Sequence, residues 1–350
     1  MSKDKNRYRN LDNPEYWVER SLEVVNPKWR DIKKVERSLK KQYKLALNDI
    51  QNDLRAFYQT YADENSLSYS QAMQQLNRTE IGDYASRMKR LQSQLALTNN
   101  PIAIAEMESL IKQGQLQRLT SLMAEVDARL LLLGETQQME MFDWLSDVYE
   151  STYYRTSFNT ARGTGMGISF TRLNEQAIIK AITYPWSGVM FSDRIWNNRR
   201  KLVFELRQII TNGFIRGSSV QRMSRELSKR MVSEYKNSLR LIRTETAEVL
   251  TQASADSYEE YGIEEFIFIA TLDDRTSSIC QDLDMQVFQL KDKQAGLNAS
   301  PMHPSCRSCI APHFDSMVID KRWAKMPDGE KRLVDGNISY ADWKKTYVKE

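Results

Sequence analysis

Apolar residues recur every three or four positions over much of this chain, which restricts the fold to one built mainly from long helices. From Asp31 the series Ile32, Val35, Leu39, Tyr43, Leu47, Ile50, Leu54, Phe57 and Tyr61 has the spacing of one buried helix face. Asn26-Pro27 predicts its start, because the residue before a proline avoids helical geometry and proline suits a first turn. Asn99-Asn100-Pro101 marks a second start, with an asparagine cap and the proline at the first helical position. Met107, Leu110, Ile111, Leu119, Leu122, Met123, Val126, Leu130 and Leu133 follow it as an amphipathic run. Gly134 is expected to end or bend that run, and Met141, Trp144, Leu145, Val148 and Tyr149 continue it as far as Tyr154. Residues 1–160 therefore read as an elongated helical region.

Composition shifts most sharply at Arg162-Gly163-Thr164-Gly165-Met166-Gly167, where alternate glycines disfavour a helix. We read 161–167 as a linker between domains. It is not a nucleotide loop, since the third glycine comes too early and no strand precedes it. Helical patterns return at Leu202, Leu206, Ile209 and Ile210, at Val220, Met223, Leu227 and Met231, and at Leu239, Ile242, Thr246, Val249 and Ala253. Arg243-Thr244-Glu245 is expected to open the last of these helices, with Thr244 as cap and Glu245 favouring its positive end. Phe266–Ala270 is a β-branched and aromatic run, and Met285–Leu290 alternates, so both predict strands. The expected fold is mainly α: an elongated helical N-terminal region, then a helical core (168–315) with a small β-containing C-terminal subdomain, and a tail (316–350).

No stretch approaches the roughly 20 apolar residues of a membrane span, and the polar start Met1–Tyr8 lacks the apolar segment of a secretory signal. Synthesis in a cytosol is the expectation, and there clustered cysteines more often bind metal than form disulfides. All three cysteines and both histidines lie between Cys280 and His313. Cys280, His303, Cys306 and Cys309 make a candidate tetrahedral set for a structural zinc ion, three of them from one His-x-x-Cys-x-x-Cys run. Such a staple suits a subdomain with little core. The alternative is three unrelated reduced cysteines and a histidine in a proline turn. Catalytic readings lack parts. Deaminase chemistry needs an upstream His-x-Glu, and no histidine precedes His303. No nucleophile elbow accompanies the cysteines. The ordered Ser-Thr-Ser and Glu-x-Glu elements of ADP-ribosyltransferases are not found.

The net charge of +4 is small for a global polyanion binder, but its distribution is uneven. Arg194, Arg199, Arg200, Lys201, Arg222, Arg225, Lys229 and Arg230 lie in a strongly basic stretch, and Lys28–Lys44 is a second. Each taken alone suits a solvated helix face. Together they are candidates for nonspecific contact with double-stranded DNA.

From about Ile168 to Phe314 the chain resembles the phage Mu F-like minor head proteins, also called head morphogenesis proteins. The ordered matches are Ile168-Ser169-Phe170-x-Arg172-Leu173, Pro185-Trp186, Ser192–Asn198, a Gly213 to Gly217 turn, Arg243-Thr244-Glu245, Asp274-Arg275-Thr276-Ser277 leading to Cys280 and Leu283-Asp284, Gly296-x-Asn298, and His303-Pro304-x-Cys306-Arg307. The resemblance implies a noncatalytic, low-copy virion component made in the host cytoplasm. It implies association with the portal protein, capsid components and packaged double-stranded DNA, with ejection alongside that DNA as an extension of the role. Relatives often carry their second cysteine at the position of Ser308, so the resemblance leaves Cys309 open as a ligand. Toxin domains follow the shared region in some relatives, and the 36 residues after Phe314 are expected to be too few for one. A cytosolic zinc-dependent enzyme and a stand-alone nonspecific DNA-binding protein are the competing expectations.

Overall fold

The structure, a computed structural model, describes residues 14–61, 69–72, 74–114, 117–164, 173–314, 321–326, 330–335 and 346. It is mainly helical with a small antiparallel sheet near the C-terminus, as the periodicity predicts. The helices are α1 (Pro14–Tyr61), α2 (Tyr69–Ala72), α3 (Arg78–Ala96), α4 (Pro101–Gln113), α5 (Arg118–Thr164), α6 (Glu175–Thr183), α7 (Phe191–Ile215) and α8 (Val220–Glu260). Strand β1 (Glu265–Ile269), helix α9 (Ser278–Leu283), and strands β2 (Val287–Gln289) and β3 (Cys309–His313) follow. β4 (Lys321–Lys325) and β5 (Lys331–Asp335) form an antiparallel pair within the expected tail.

The chain divides into two compact units that are discontinuous in sequence. One comprises 1–33, 143–190 and 240–350, and the other 34–142 and 191–239. This spatial division differs from the sequential one expected from composition.

In the second unit, the predicted face of α1 (Tyr43, Ile50, Leu54) is buried in one core with Leu122, Val126 and Leu130 of α5, Leu206 and Ile210 of α7, and Leu227 and Met231 of α8. Each such side chain contributes roughly 1.5–3 kcal/mol on burial. A smaller core joins Tyr84, Met88 and Leu91 of α3 to Met107 of α4 and Ala128 and Leu131 of α5. Local signals set these helices. Asn77 and Glu80 form a reciprocal capping box at α3. The Asn100 side chain accepts from the Ile102 and Ala103 amides at the start of α4, where the sequence predicts a cap.

Several boundaries differ from expectation. α1 starts at Pro14 and carries Pro27 inside it. Burial of Trp17, Val18, Val24 and Val25, and the Lys28 Nζ to Asp147 Oδ2 bond of 2.7 Å, hold the turns on both sides of the proline. The break in the second run falls at Gly114 rather than Gly134, which lies within α5 with the Trp196 ring 3.3 Å from where a Cβ would stand. Gly163 is likewise helical, covered by Trp17 and Tyr16 in the first unit. The expected linker therefore begins as the last turn of α5, and Gly165 and Gly167 lie outside the described residues.

In the first unit the sheet order is β2-β1-β3, both pairings antiparallel. β1 pairs Phe266 with Phe288 of β2 and Ile269 with Cys309 of β3. One side of the sheet is packed with Ala161, Ala255, Tyr258 and Ile310. A separate cluster of Phe268, Ala270, Cys280 and Cys306, flanked by Leu283, Phe288 and Met302, fills the other end.

Candidate metal centre

Two connections of the sheet bring three soft ligands together. Cys280 belongs to α9, between β1 and β2. The Ser277 hydroxyl caps that helix by accepting from the Cys280 amide at 3.3 Å. Asp284 Oδ1 accepts from the Ala270 amide at 2.9 Å, and the Met285 amide donates to the Phe268 carbonyl at 2.8 Å, so the connection is tied to the end of β1.

His303 and Cys306 are the ends of a turn closed by the Cys306 amide on the His303 carbonyl at 3.1 Å. Pro304 occupies its second position and Ser305 its third, with φ +61°, the pattern of a type II turn. The Ser305 amide donates to Thr244 Oγ1 of α8 at 3.0 Å. Thr244 is thus not a helix cap: Arg243-Thr244-Glu245 lies deep inside α8, which begins at Val220. Helical apolar spacing continues unbroken through this motif, so its polar residues have roles other than starting the helix. Buried Glu245 accepts from Trp186 Nε1 at 2.9 Å, joining two of the sequence motifs.

The ligand atoms of Cys280, His303 and Cys306 all lie within 4.8 Å of one another and can hold a metal ion. Cys280 Sγ stands 3.4 Å from His303 Nε2 and 3.7 Å from Cys306 Sγ. His303 Nδ1 is 3.1 Å from the Pro304 carbonyl oxygen, which suits an imidazole whose other nitrogen faces a metal. The thiols divide their proton unequally. Cys306 is held well below the usual thiol range, first by a hydrogen bond from Cys280, against the opposing effect of burial, and then by the Met302 and Ser308 amides. Cys280 is pushed up, first by donating to Cys306 and then by burial. Thiolate is the metal-binding form of cysteine.

Cys309, the fourth sequence candidate, stands apart from this group. It is buried at the start of β3, opposite Ile269, and burial foremost pushes its thiol up to about 12. His313 is at the far end of β3, 3.9 Å from Glu265 across the ladder.

The motif residues around the centre support it rather than join it. Arg307 pairs with Asp273, not with Asp274, which is exposed, as is Arg275. Burial alone would raise the Asp273 carboxyl, but the Arg307 hydrogen bonds, the guanidinium charge and the Arg275 amide hold it below the usual range. The sequence motif does not include Asp273, although its position one residue before Asp274 leaves it in view. Asn298 shapes the preceding loop, accepting from the Gln294 amide at 2.7 Å and donating to the Asp292 carbonyl at 2.9 Å. Ile168–Arg172 of the first motif lie outside the described residues.

The basic candidates sort into two kinds. Arg200, Lys201, Arg222, Arg225 and Lys229 are exposed, although Arg222 lies 3.4 Å from Glu226. Arg199 is buried, bonded to both Glu106 oxygens and set over the Trp196 ring, which makes it a structural residue rather than a surface cation. Arg194 and Arg230 are half-buried, and Arg230 bonds Glu205. Among the described residues no helix is long and apolar enough to cross a membrane.

Known proteins share parts of this chain. It is 26% identical over 184 residues to NAD(+)--arginine ADP-ribosyltransferase EFV of Enterococcus faecalis (strain ATCC 700802 / V583), an overlap of 51% of this chain and 38% of that protein. The chain thus spans well under half the length of this relative. No solved structure matches it. The family described as Phage Mu protein F like protein matches residues 205–311, a segment that runs from within α7 to β3 and contains Cys280, His303, Cys306, Asp273 and Arg307. Over residues 205–311 the chain is therefore similar to the phage Mu protein F-like family.

Proposed function

We propose that the protein is a minor capsid, or head morphogenesis, protein of a tailed bacteriophage, residing in the virion as a low-copy, noncatalytic component. The observation that carries this reading is the family match over 205–311. In the proposal the helical regions dock on the portal protein or neighbouring capsid components. Exposed Arg200, Lys201, Arg225 and Lys229 meet packaged double-stranded DNA through its phosphates, without reading sequence. Ejection with the DNA is part of the same proposal.

The cofactor is a structural zinc ion at Cys280, His303 and Cys306, since thiolate and imidazole donors suit it. Bound there, it would tie the β1–β2 connection to the loop before β3. Metal binding would also release thiol protons.

The test is genetic. Deleting the gene from a phage or prophage that carries it should leave head proteins expressed but sharply reduce DNA-filled, infectious heads, with rescue in trans. Normal yields of infectious particles would overturn the proposal.

The partial overlap with an NAD(+)–arginine ADP-ribosyltransferase supports a second reading, transfer of ADP-ribose to arginine. Incubation with labelled NAD(+) and an arginine acceptor decides it. The head-protein reading predicts no transfer above a heat-killed control, and turnover would replace it with the enzymatic one.

A further inference from the structure

We propose that the centre binds its metal through three protein ligands only, leaving a fourth position that takes a monodentate nitrogen or sulfur donor from outside the chain. This rests on the metal reading above and specifies its coordination. Cys280, His303 and Cys306 converge, whereas the β3 ladder commits Cys309 elsewhere. As the first residue of β3, Cys309 pairs with Ile269, so drawing its sulfur toward the other three would open the end of the β1–β3 ladder.

Among the described residues no other histidine, cysteine, aspartate or glutamate joins the group. Phe268 and Ala270 wall the two buried sulfurs, with Leu283, Phe288 and Met302 packed against them. The nearby hydroxyls are those of Ser300, whose Oγ is buried with no hydrogen-bond partner among the described residues, and of Ser308, and a neutral hydroxyl is a weaker zinc donor than thiolate or imidazole. Exposure is uneven: Cys280 and Cys306 are buried, but His303 is only half-buried. A bound ion would therefore be enclosed on its sulfur side and reachable from its histidine side. Two thiolates and one imidazole with a free position form an open site, unlike the closed four-ligand sites of purely structural zinc. Solvent would fill that position until a stronger donor arrives. An imidazole or thiol side chain on an assembly partner has the right chemistry.

The experiment uses the full-length protein loaded with cobalt(II), whose visible spectrum reports coordination. Imidazole titrated into the wild-type protein should shift the visible bands saturably. Cys309→Ser should leave the sulfur-to-cobalt charge-transfer band unchanged, and Cys280→Ser should remove roughly half of it, as expected for one of two thiolates. Loss of about a third of the band in Cys309→Ser, with no response of the wild type to imidazole, would overturn the open position while leaving the metal site intact. A folded wild-type protein that binds neither cobalt nor zinc would instead overturn the metal reading itself. The titration on unmodified protein keeps the test decisive should a variant misfold.

Discussion

Arg307 grips Asp273 with two bonds, Nη1 to Oδ2 at 2.6 Å and Nη2 to Oδ1 at 2.8 Å, one residue after the candidate ligand Cys306. Asp273 is buried and also accepts from the Arg275 amide and the Thr276 hydroxyl, while Thr271 Oγ1 donates to the Arg307 carbonyl. The pair thus fixes the chain on both sides of β1's exit to the loop that holds Cys306. Replacing Asp273 with Asn should cost roughly 1.5–3 kcal/mol in chemical denaturation, the usual range for hydrogen bonds to charged groups. The folded-state pKa of Asp273 is depressed, so its contribution is present above the unfolded value of about 3.9 and fades as pH falls below it. The variant should lack that acid-side loss.

Glu248 predicts the opposite pH dependence. Burial, with the nearby Glu245 and Asp256 outweighed only in part by Lys293, pushes its carboxyl up to about 7, and Oε2 has no hydrogen-bond partner among the described residues. Between about 4.3 and 7 the folded protein holds a proton that the unfolded chain releases. Stability should therefore decline across that window as pH rises, by at most about 1.4 kcal/mol per pH unit. Glu248→Gln should flatten this slope and raise the melting temperature at pH 8. An unchanged slope in the variant would contradict the assignment.

Two helical glycines should respond to alanine with opposite signs. At Gly163 a methyl group would overlap the Trp17 ring, so Gly163→Ala should destabilise by roughly 1–3 kcal/mol. Gly82 lies inside α3 with open space around it, so Gly82→Ala should stabilise by about 0.5–1 kcal/mol through helix propensity. Urea unfolding of both variants checks the pair.

DNA affinity should separate the exposed cations from the committed one. Removing Arg225 and Lys229 should weaken binding to any duplex equally and lower the slope of log affinity against log salt by about 0.9 for each phosphate that is no longer neutralised. Arg199→Ala should chiefly lower stability, because it strands Glu106 and uncovers Trp196. Equal salt slopes for wild type and the double variant would contradict a role for the exposed pair.

What sequence makes legible follows from what kind of interaction sets each feature. The α1, α4 and α8 faces, the Asn100 cap and the β1 and β2 strands rest on local spacing and capping, and they stand where the residues predict them. Pro27, Gly134 and Gly163 mislead because each is punctuation by local propensity but lies within a helix held by distant side chains. β3 is hidden because it starts at Cys309, inside the spacing pattern of a metal-ligand run. Three of the four expected ligands converge, but spacing cannot tell that Cys309 enters a ladder after the turn made by Pro304 and Ser305. Charge counting likewise cannot distinguish Arg225, on an open helix face, from Arg199, buried against Glu106.

Similarity to the phage Mu protein F-like family over residues 205–311 is what leads us to propose that this chain is part of a phage head. Quantitative mass spectrometry of density-purified, DNA-filled particles tests it most directly. This chain is expected at a few to some tens of copies per particle, at a fixed ratio to the portal protein and resistant to high-salt washing. Its absence from such particles, while it is abundant in the lysate, would contradict the account.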